Sequence, residues 1–193
     1  IAANAALTVL LPDQTSIGGD CFLQVWEPGT DVPTGYNGSG RSPGAASADQ
    51  VRAAGFGAMP RRGPWTVTVP GTIDAWFAAH ARHGSLPMGR LLAPASNIAR
   101  DGFEISPRLA AAIAANAGDL AAHPAAAAIF LDNGAAPAPG FRLVNAGLAN
   151  AFNLIGAAGR DAFYTGAIAD AILAVAGTGV GGWLTENDLA NHA

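Results

Sequence analysis

The chain has 193 residues, enough for one large domain or two small ones with a sizeable buried core. Half of the residues are hydrophobic and only 12% are charged, about half the usual share, so much of the surface is expected to be covered by something other than water, a partner chain being one candidate. The formal charge of −4, with ten arginines, no lysine and no basic run, argues against nucleic acid, and no apolar window reaches the roughly 20 residues of a membrane span.

The chain opens on Ile1-Ala2-Ala3-Asn4-Ala5-Ala6-Leu7-Thr8-Val9-Leu10, which lacks Met and reads as the middle of an apolar helix; something is expected to be missing before it, and the compartment stays open. Asp13 to Asp20 forms a turn-rich loop, and Cys21 to Trp26 a short buried strand. Cys21 is the single cysteine, read as a buried small hydrophobe because no base stands near it in sequence. Residues 27–46 are rich in Gly, Pro and Ser, with room for one strand near Asn37 to Arg41, and Ala48 to Ala54 fits a helical turn or two. Trp65-Thr66-Val67-Thr68-Val69 alternates and is β-branched, which predicts a strand ended by Pro70-Gly71.

From Thr72 the period becomes helical. Ile73, Trp76, Phe77, His80 and Ala81 form one stripe ended by Gly84; Leu91, Leu92, Ala95, Ile98 and Ala99 form a second, opened by Pro87 and ended near Gly102. Ser106-Pro107 reads as an N-cap followed by a first-turn proline, ahead of a helix to Ala117. Further helices are expected at Pro124 to Leu131, Ala146 to Ala158 and Arg160 to Val175, with a loop at Gly134 to Gly140. Strands are thus expected only in the first seventy residues. Leu184 to Leu189 opens a last helix capped by Thr185, and the chain stops at Ala193, so a piece of a larger folded unit is expected.

Few motifs carry chemistry. Gly177-Thr178-Gly179-Val180-Gly181-Gly182 matches G-x-G-x-x-G, but a helical pattern precedes it and no helix of the right length follows, so it reads as a flexible interhelical loop. His80 and His83 could face one metal from a helix, yet no acid or Cys at zinc-site spacing joins them; no metal and no cofactor is expected. No nucleophile elbow, P-loop or metalloprotease motif occurs, so no catalytic residue is assigned to this chain. What remains is Arg41, set among small residues in Tyr36-Asn37-Gly38-Ser39-Gly40-Arg41-Ser42-Pro43. Its planar fork matches a carboxylate two bonds at a time, and small neighbours let a ligand or a backbone come close; a solvated turn arginine is the alternative.

Several segments, in order, resemble the large subunit of the gamma-glutamyltransferase family: Ser16-Ile17-Gly18-Gly19-Asp20-Cys21-Phe22, Asn37-Gly38-Ser39-Gly40-Arg41-Ser42-Pro43, Val69-Pro70-Gly71-Thr72-Ile73-Asp74-Ala75-Trp76, Ala99-Arg100-Asp101-Gly102-Phe103, Gly159-Arg160-Asp161-Ala162-Phe163-Tyr164-Thr165-Gly166 and Leu184-Thr185-Glu186-Asn187-Asp188-Leu189. The resemblance spans nearly the whole chain. It implies an α+β N-terminal-nucleophile hydrolase, a four-layer αββα sandwich, with residues 1–193 as one domain portion: the mainly helical large-subunit part, incomplete at both ends. It also implies a self-cleaving precursor, an N-terminal Thr or Ser nucleophile and an oxyanion hole on a small subunit outside this sequence, and Arg41 gripping a substrate carboxylate. Gly18-Gly19-Asp20-Cys21 in place of a four-glycine run, and Asn-Gly-Ser-Gly before the arginine, look more like the divergent branch with cephalosporin acylase-like proteins and an oxamate amidohydrolase. The substrate is therefore any small amide bearing a carboxylate. A noncatalytic helical binding or structural module is the alternative.

Overall fold

The computed structural model describes residues 1–192. In chain order it forms helix α1 (Ala2–Leu10), strands β1 (Cys21–Val25) and β2 (Thr34–Gly38), and helices α2 (Ala48–Ala53), α3 (Thr72–His83) and α4 (Met88–Asp101). Strand β3 (Phe103–Glu104) follows, then α5 (Pro107–Ala115), α6 (Ala117–Ala121), α7 (Pro124–Phe130), β4 (Arg142–Leu143), α8 (Ala146–Ala158), α9 (Asp161–Tyr164), α10 (Ala167–Ala176) and α11 (Glu186–Ala190). The elements fall into two compact units, one of Ile1–Ser16 with Leu86–Ala157, the other of Ile17–Ser85 with the residues from Ala158 onward.

In the first unit α1 packs against α4, and Ala5, Val9, Leu92, Ala95, Ala99, Phe152 and Ile155 are buried. Small residues set the spacing here. A Cβ on Gly156 would lie 2.8 Å from Gly89 Cα, so α4 and α8 touch backbone to backbone. Ser96, buried on α4, places its Oγ 2.8 Å from Asn153 Oδ1 on α8, which satisfies a polar group that burial would otherwise strand. A second core gathers Ile105, Leu109, Ile113, Leu131 and Leu143 beneath the short β3–β4 ladder, registered Phe103↔Leu143 and Glu104↔Arg142. Strands after residue 71 were not expected; a two-residue strand leaves no readable alternation, and only the turn at Gly102, φ +78°, hints at it. Ser106 caps α5 as expected, accepting from Leu109 N–H at 3.2 Å, and Pro107 takes its first position.

In the second unit β1 and β2 form an antiparallel hairpin with register Cys21↔Gly38 to Val25↔Thr34, and α3 packs on it. The strand expected near Asn37 to Arg41 therefore sits three residues earlier. The expected strand at Trp65–Val69 is absent: Pro64–Thr66 is a 3-10 turn, followed by extended chain. Its conformation is decided by side chains, since Trp65 stacks on Trp183 at 5.2 Å between ring centres and donates through Nε1 to Gly181 O at 2.7 Å. The helix expected over Arg160 to Val175 divides into α9 and α10 because Thr165 is extended and Gly166 takes φ +74°, where no helix continues. The Gly177–Gly182 loop is a tight 3-10 turn closed by a Gly177↔Leu184 bridge; a Cβ on Gly182 would lie 1.9 Å from Ala176 O. Its glycines serve close packing of the chain on itself.

The stripes of α3 and α4 sit about one position away from the expected ones. Ile73, Trp76 and Leu92 are fully buried, whereas Phe77, Leu91 and Ile98 are half-buried, because Ala75 and Ala79 on α3 and Ala95, Ser96 and Ala99 on α4 take the centre of each buried face. Trp76 is the largest of the fully buried side chains. Trp76→Ala is expected to remove about 3–5 kcal/mol of stability, read as a lower urea midpoint and lost soluble yield. A stable variant with altered substrate affinity alone would move Trp76 out of the core.

Candidate functional site

The second unit brings most of the sequence motifs to one place, around the segment that leaves β2. Gly38 and Gly40 lie against the backbone of Val69–Gly71: a Cβ on Gly40 would fall 1.5 Å from Val69 O, and one on Gly71 2.1 Å from Gly38 O. The small neighbours of Arg41 are thus explained first by backbone approach. Asp20 Oδ1 accepts from Gly40 N–H at 3.1 Å, and Val69 N–H donates to Arg41 O at 3.0 Å, so the main chain of Arg41 is held from both sides.

The same contact is fixed from below by the start of α3. Gly19 O accepts from the N–H groups of Gly71 and Thr72, each at 3.0 Å, and from Thr72 Oγ1 at 2.8 Å, which satisfies donors that the first turn of a helix leaves without intrahelical partners. Tyr164 OH donates to Pro70 O at 2.7 Å and accepts from Asp74 N–H at 3.1 Å. Burial pushes the Tyr164 phenol well above its ordinary value, so it stays a protonated strut. Arg160 spans Asp74 Oδ1, at 2.5 Å, and the carbonyl of His192, with its guanidinium 4.4 Å over the Tyr164 ring. His192 is buried beside this ring, and burial lowers its affinity for a proton.

Arg41 reaches the last helix. Its Nη2 donates to Asn191 O at 3.0 Å and Asp188 O at 3.3 Å, while Nε and Nη1 have no hydrogen-bond partner among the described residues. Nη2 belongs to both edges through which a guanidinium can bind a carboxylate in parallel, so the free donors are those of Nε and Nη1. These two carbonyls orient the guanidinium.

Asp188 completes the arrangement. Its Oδ1 accepts from Gly44 N–H at 2.9 Å, and its Oδ2 accepts from Thr185 N–H at 3.0 Å and Thr185 Oγ1 at 2.6 Å, within a reciprocal capping box at the head of α11. Burial alone would raise its carboxyl, but the bonds from Thr185 and Gly44, with Arg41 nearby, outweigh it and hold the group ionised, below its ordinary value. Thr185 and the acids of this turn were legible as a helix start. That Asp188 reaches back to Gly44, 144 residues earlier in the chain, was not.

The remaining candidates lie apart from chemistry. His83 Nε2 lies 2.8 Å from Tyr36 OH and its Nδ1 3.1 Å from Glu27 Oε1, a brace from the end of α3 to the hairpin. Cys21 is buried, and burial pushes its thiol up, away from the thiolate a nucleophile needs. Among the described residues, no group of three or more His, Cys, Asp or Glu is placed to hold a metal ion.

The family model described as Gamma-glutamyltranspeptidase matches residues 1–193. The glutathione hydrolase-like YwrD proenzyme of Bacillus subtilis is 37% identical over 193 residues, 100% of this chain and 36% of that protein. The oxamate amidohydrolase proenzyme of Klebsiella pneumoniae is 33% identical over 198 residues, 100% of this chain and 37% of that protein. Cephalosporin acylase from Bacillus halodurans superposes with a TM-score of 0.87 at 34% identity, over 98% of this chain and 36% of that one. The likeness bears out the expected fold class, with this chain as its mainly helical part. The chain spans little more than a third of the length of these relatives.

Gly40→Ala is expected to destabilise the protein by roughly 2–3 kcal/mol or more, because the new methyl meets a backbone carbonyl that cannot swing aside. Urea unfolding reads this directly. An unchanged midpoint would mean that this segment does not lie against Val69 in solution.

Proposed function

Because the chain belongs to the gamma-glutamyltranspeptidase family, as its motifs led us to expect, we propose that it is the large-subunit portion of a self-processing amidohydrolase or acyltransferase. Its substrate is a small amide that bears a carboxylate, and its nucleophile is the N-terminal Thr or Ser of a partner chain released by self-cleavage. The observation that carries this reading is Arg41: a guanidinium held at Nη2 by two carbonyls, on a backbone braced by Asp20 and Val69, with its other donors open. Both curated relatives described above are named proenzymes, which supports the processing step, and one is named as an oxamate amidohydrolase, oxamate being a small amide with a carboxylate.

The division of labour follows from the chemistry. Acyl transfer through a threonine or serine needs the hydroxyl, a base and donors for the developing oxyanion. This chain would supply the step before these, fixing the acid end of the substrate so that its amide carbon lies at the nucleophile of the partner. A charge-assisted bond to the carboxylate contributes on the order of 1.5–3 kcal/mol, and an ammonium at the same place would keep the charge without the fixed Nε and Nη1 donors.

Two outcomes are expected. The chain alone turns over no amide, whereas the full-length product self-cleaves to a new N-terminal Thr or Ser, read by mass spectrometry; an intact, inactive full-length protein would favour the noncatalytic module instead. In the processed enzyme, Arg41→Lys weakens and Arg41→Met more strongly weakens kcat/KM for γ-glutamyl-p-nitroanilide, by roughly ten- to a hundredfold. Against the analogue whose α-carboxylate is a neutral amide, the mutants lose little, because the partner is already gone. Equal discrimination between acid and amide by wild type and Arg41→Met would reduce Arg41 to a turn residue.

A further inference from the structure

Arg41 is exposed, and exposed arginines ordinarily sample many rotamers, so its value as a clamp depends on what holds it. Two independent ties lead to a single residue of α11. The carbonyl of Asp188 accepts from Arg41 Nη2, and its carboxylate accepts from Gly44 N–H, three residues further along the same loop. A buried carboxylate with three donors, two of them from Thr185, is held in place, because each bond lost would leave its charge less compensated in a site shielded from water. We infer that Asp188 is the positioning residue of the carboxylate clamp: it locks the Arg41–Gly44 loop onto α11 and so presets the free Nε and Nη1 donors of the guanidinium for the substrate's acid group.

This inference rests on the proposed role of Arg41. It also opposes a simple electrostatic expectation. A negative charge near Arg41 weakens its pull on an anion, so removing that charge should tighten binding if field alone mattered. The geometry points the other way, since the carboxylate is turned to Gly44 and Thr185 while Arg41 meets the main-chain oxygen. Loss of the tie frees the loop, and the ordering of that loop then opposes each binding event.

The test uses the full-length, processed enzyme, with γ-glutamyl-p-nitroanilide and its α-carboxamide analogue as the probes. Asp188→Asn keeps the side-chain volume but can no longer accept at both oxygens. KM for the acid is expected to rise roughly tenfold with kcat within about twofold, and the preference for acid over amide to fall by a similar factor. In an Arg41→Met background the same change should leave that preference untouched. Asp188→Glu, which keeps the charge and displaces it, is expected to fall between the two and serves alone should the Asn variant give no soluble protein. A merely structural role would scale both probes equally, and that result, or a lower KM, overturns the inference. Loss of discrimination in Arg41→Met with full discrimination in Asp188→Asn overturns it alone; full discrimination in Arg41→Met overturns it together with the clamp.

Discussion

A contact between two stretches of bare backbone sets the geometry of the candidate site. Gly38 and Gly40 lie on Val69–Gly71 so closely that a single methyl at Gly40 would overlap a carbonyl. Backbone can approach backbone at that distance only where neither chain carries a Cβ in the gap. Once the contact forms, the rest of the neighbourhood has little freedom. The hairpin must end at Gly38, α3 must begin at Thr72, and Arg41 must emerge beyond both.

Polar groups then fix what the glycines allow. Gly19 O collects three donors at the head of α3, Asp20 holds Gly40, and Tyr164 bridges Pro70 to Asp74. Each tie joins residues far apart in sequence, and the bond of Tyr164 to Pro70 O satisfies groups that would otherwise be stranded away from water. Arg160, against Asp74 and the carbonyl of His192, extends the same logic to the end of the unit. The first unit solves a related problem with other means. Alanine-rich helices and the Gly89–Gly156 contact bring helices close with little side-chain volume between them, and larger residues such as Phe152 fill the space that remains.

The same devices hold one guanidinium, that of Arg41, in place. It is placed by a capped helix, glycine contacts and the buried carboxylate of Asp188. The low charge and the exposed Phe22 and Trp26 on the hairpin agree with a surface that is not meant for water alone.

By itself the sequence determined the helix boundaries that depend on local chemistry. Ser106-Pro107, Thr185, Gly102 and the whole span Ala146–Ala158 stand where their residues placed them, because caps, first-turn prolines and glycine stops act within a few residues. It also marked Cys21 as buried and singled out Arg41, the arginine set among glycines and serines. Only the tertiary structure decided the rest. Trp65–Val69 has the alternation of a strand, yet the stacking of Trp65 on Trp183 and its bond to Gly181 bend the chain into a 3-10 turn. Local propensity is worth a few tenths of a kcal/mol per residue, and a stacked, hydrogen-bonded indole from 118 positions away along the chain outweighs it. The partner of Arg41 was equally hidden: no spacing rule connects Gly44 with Asp188, and only folding brings a carboxylate to that N–H.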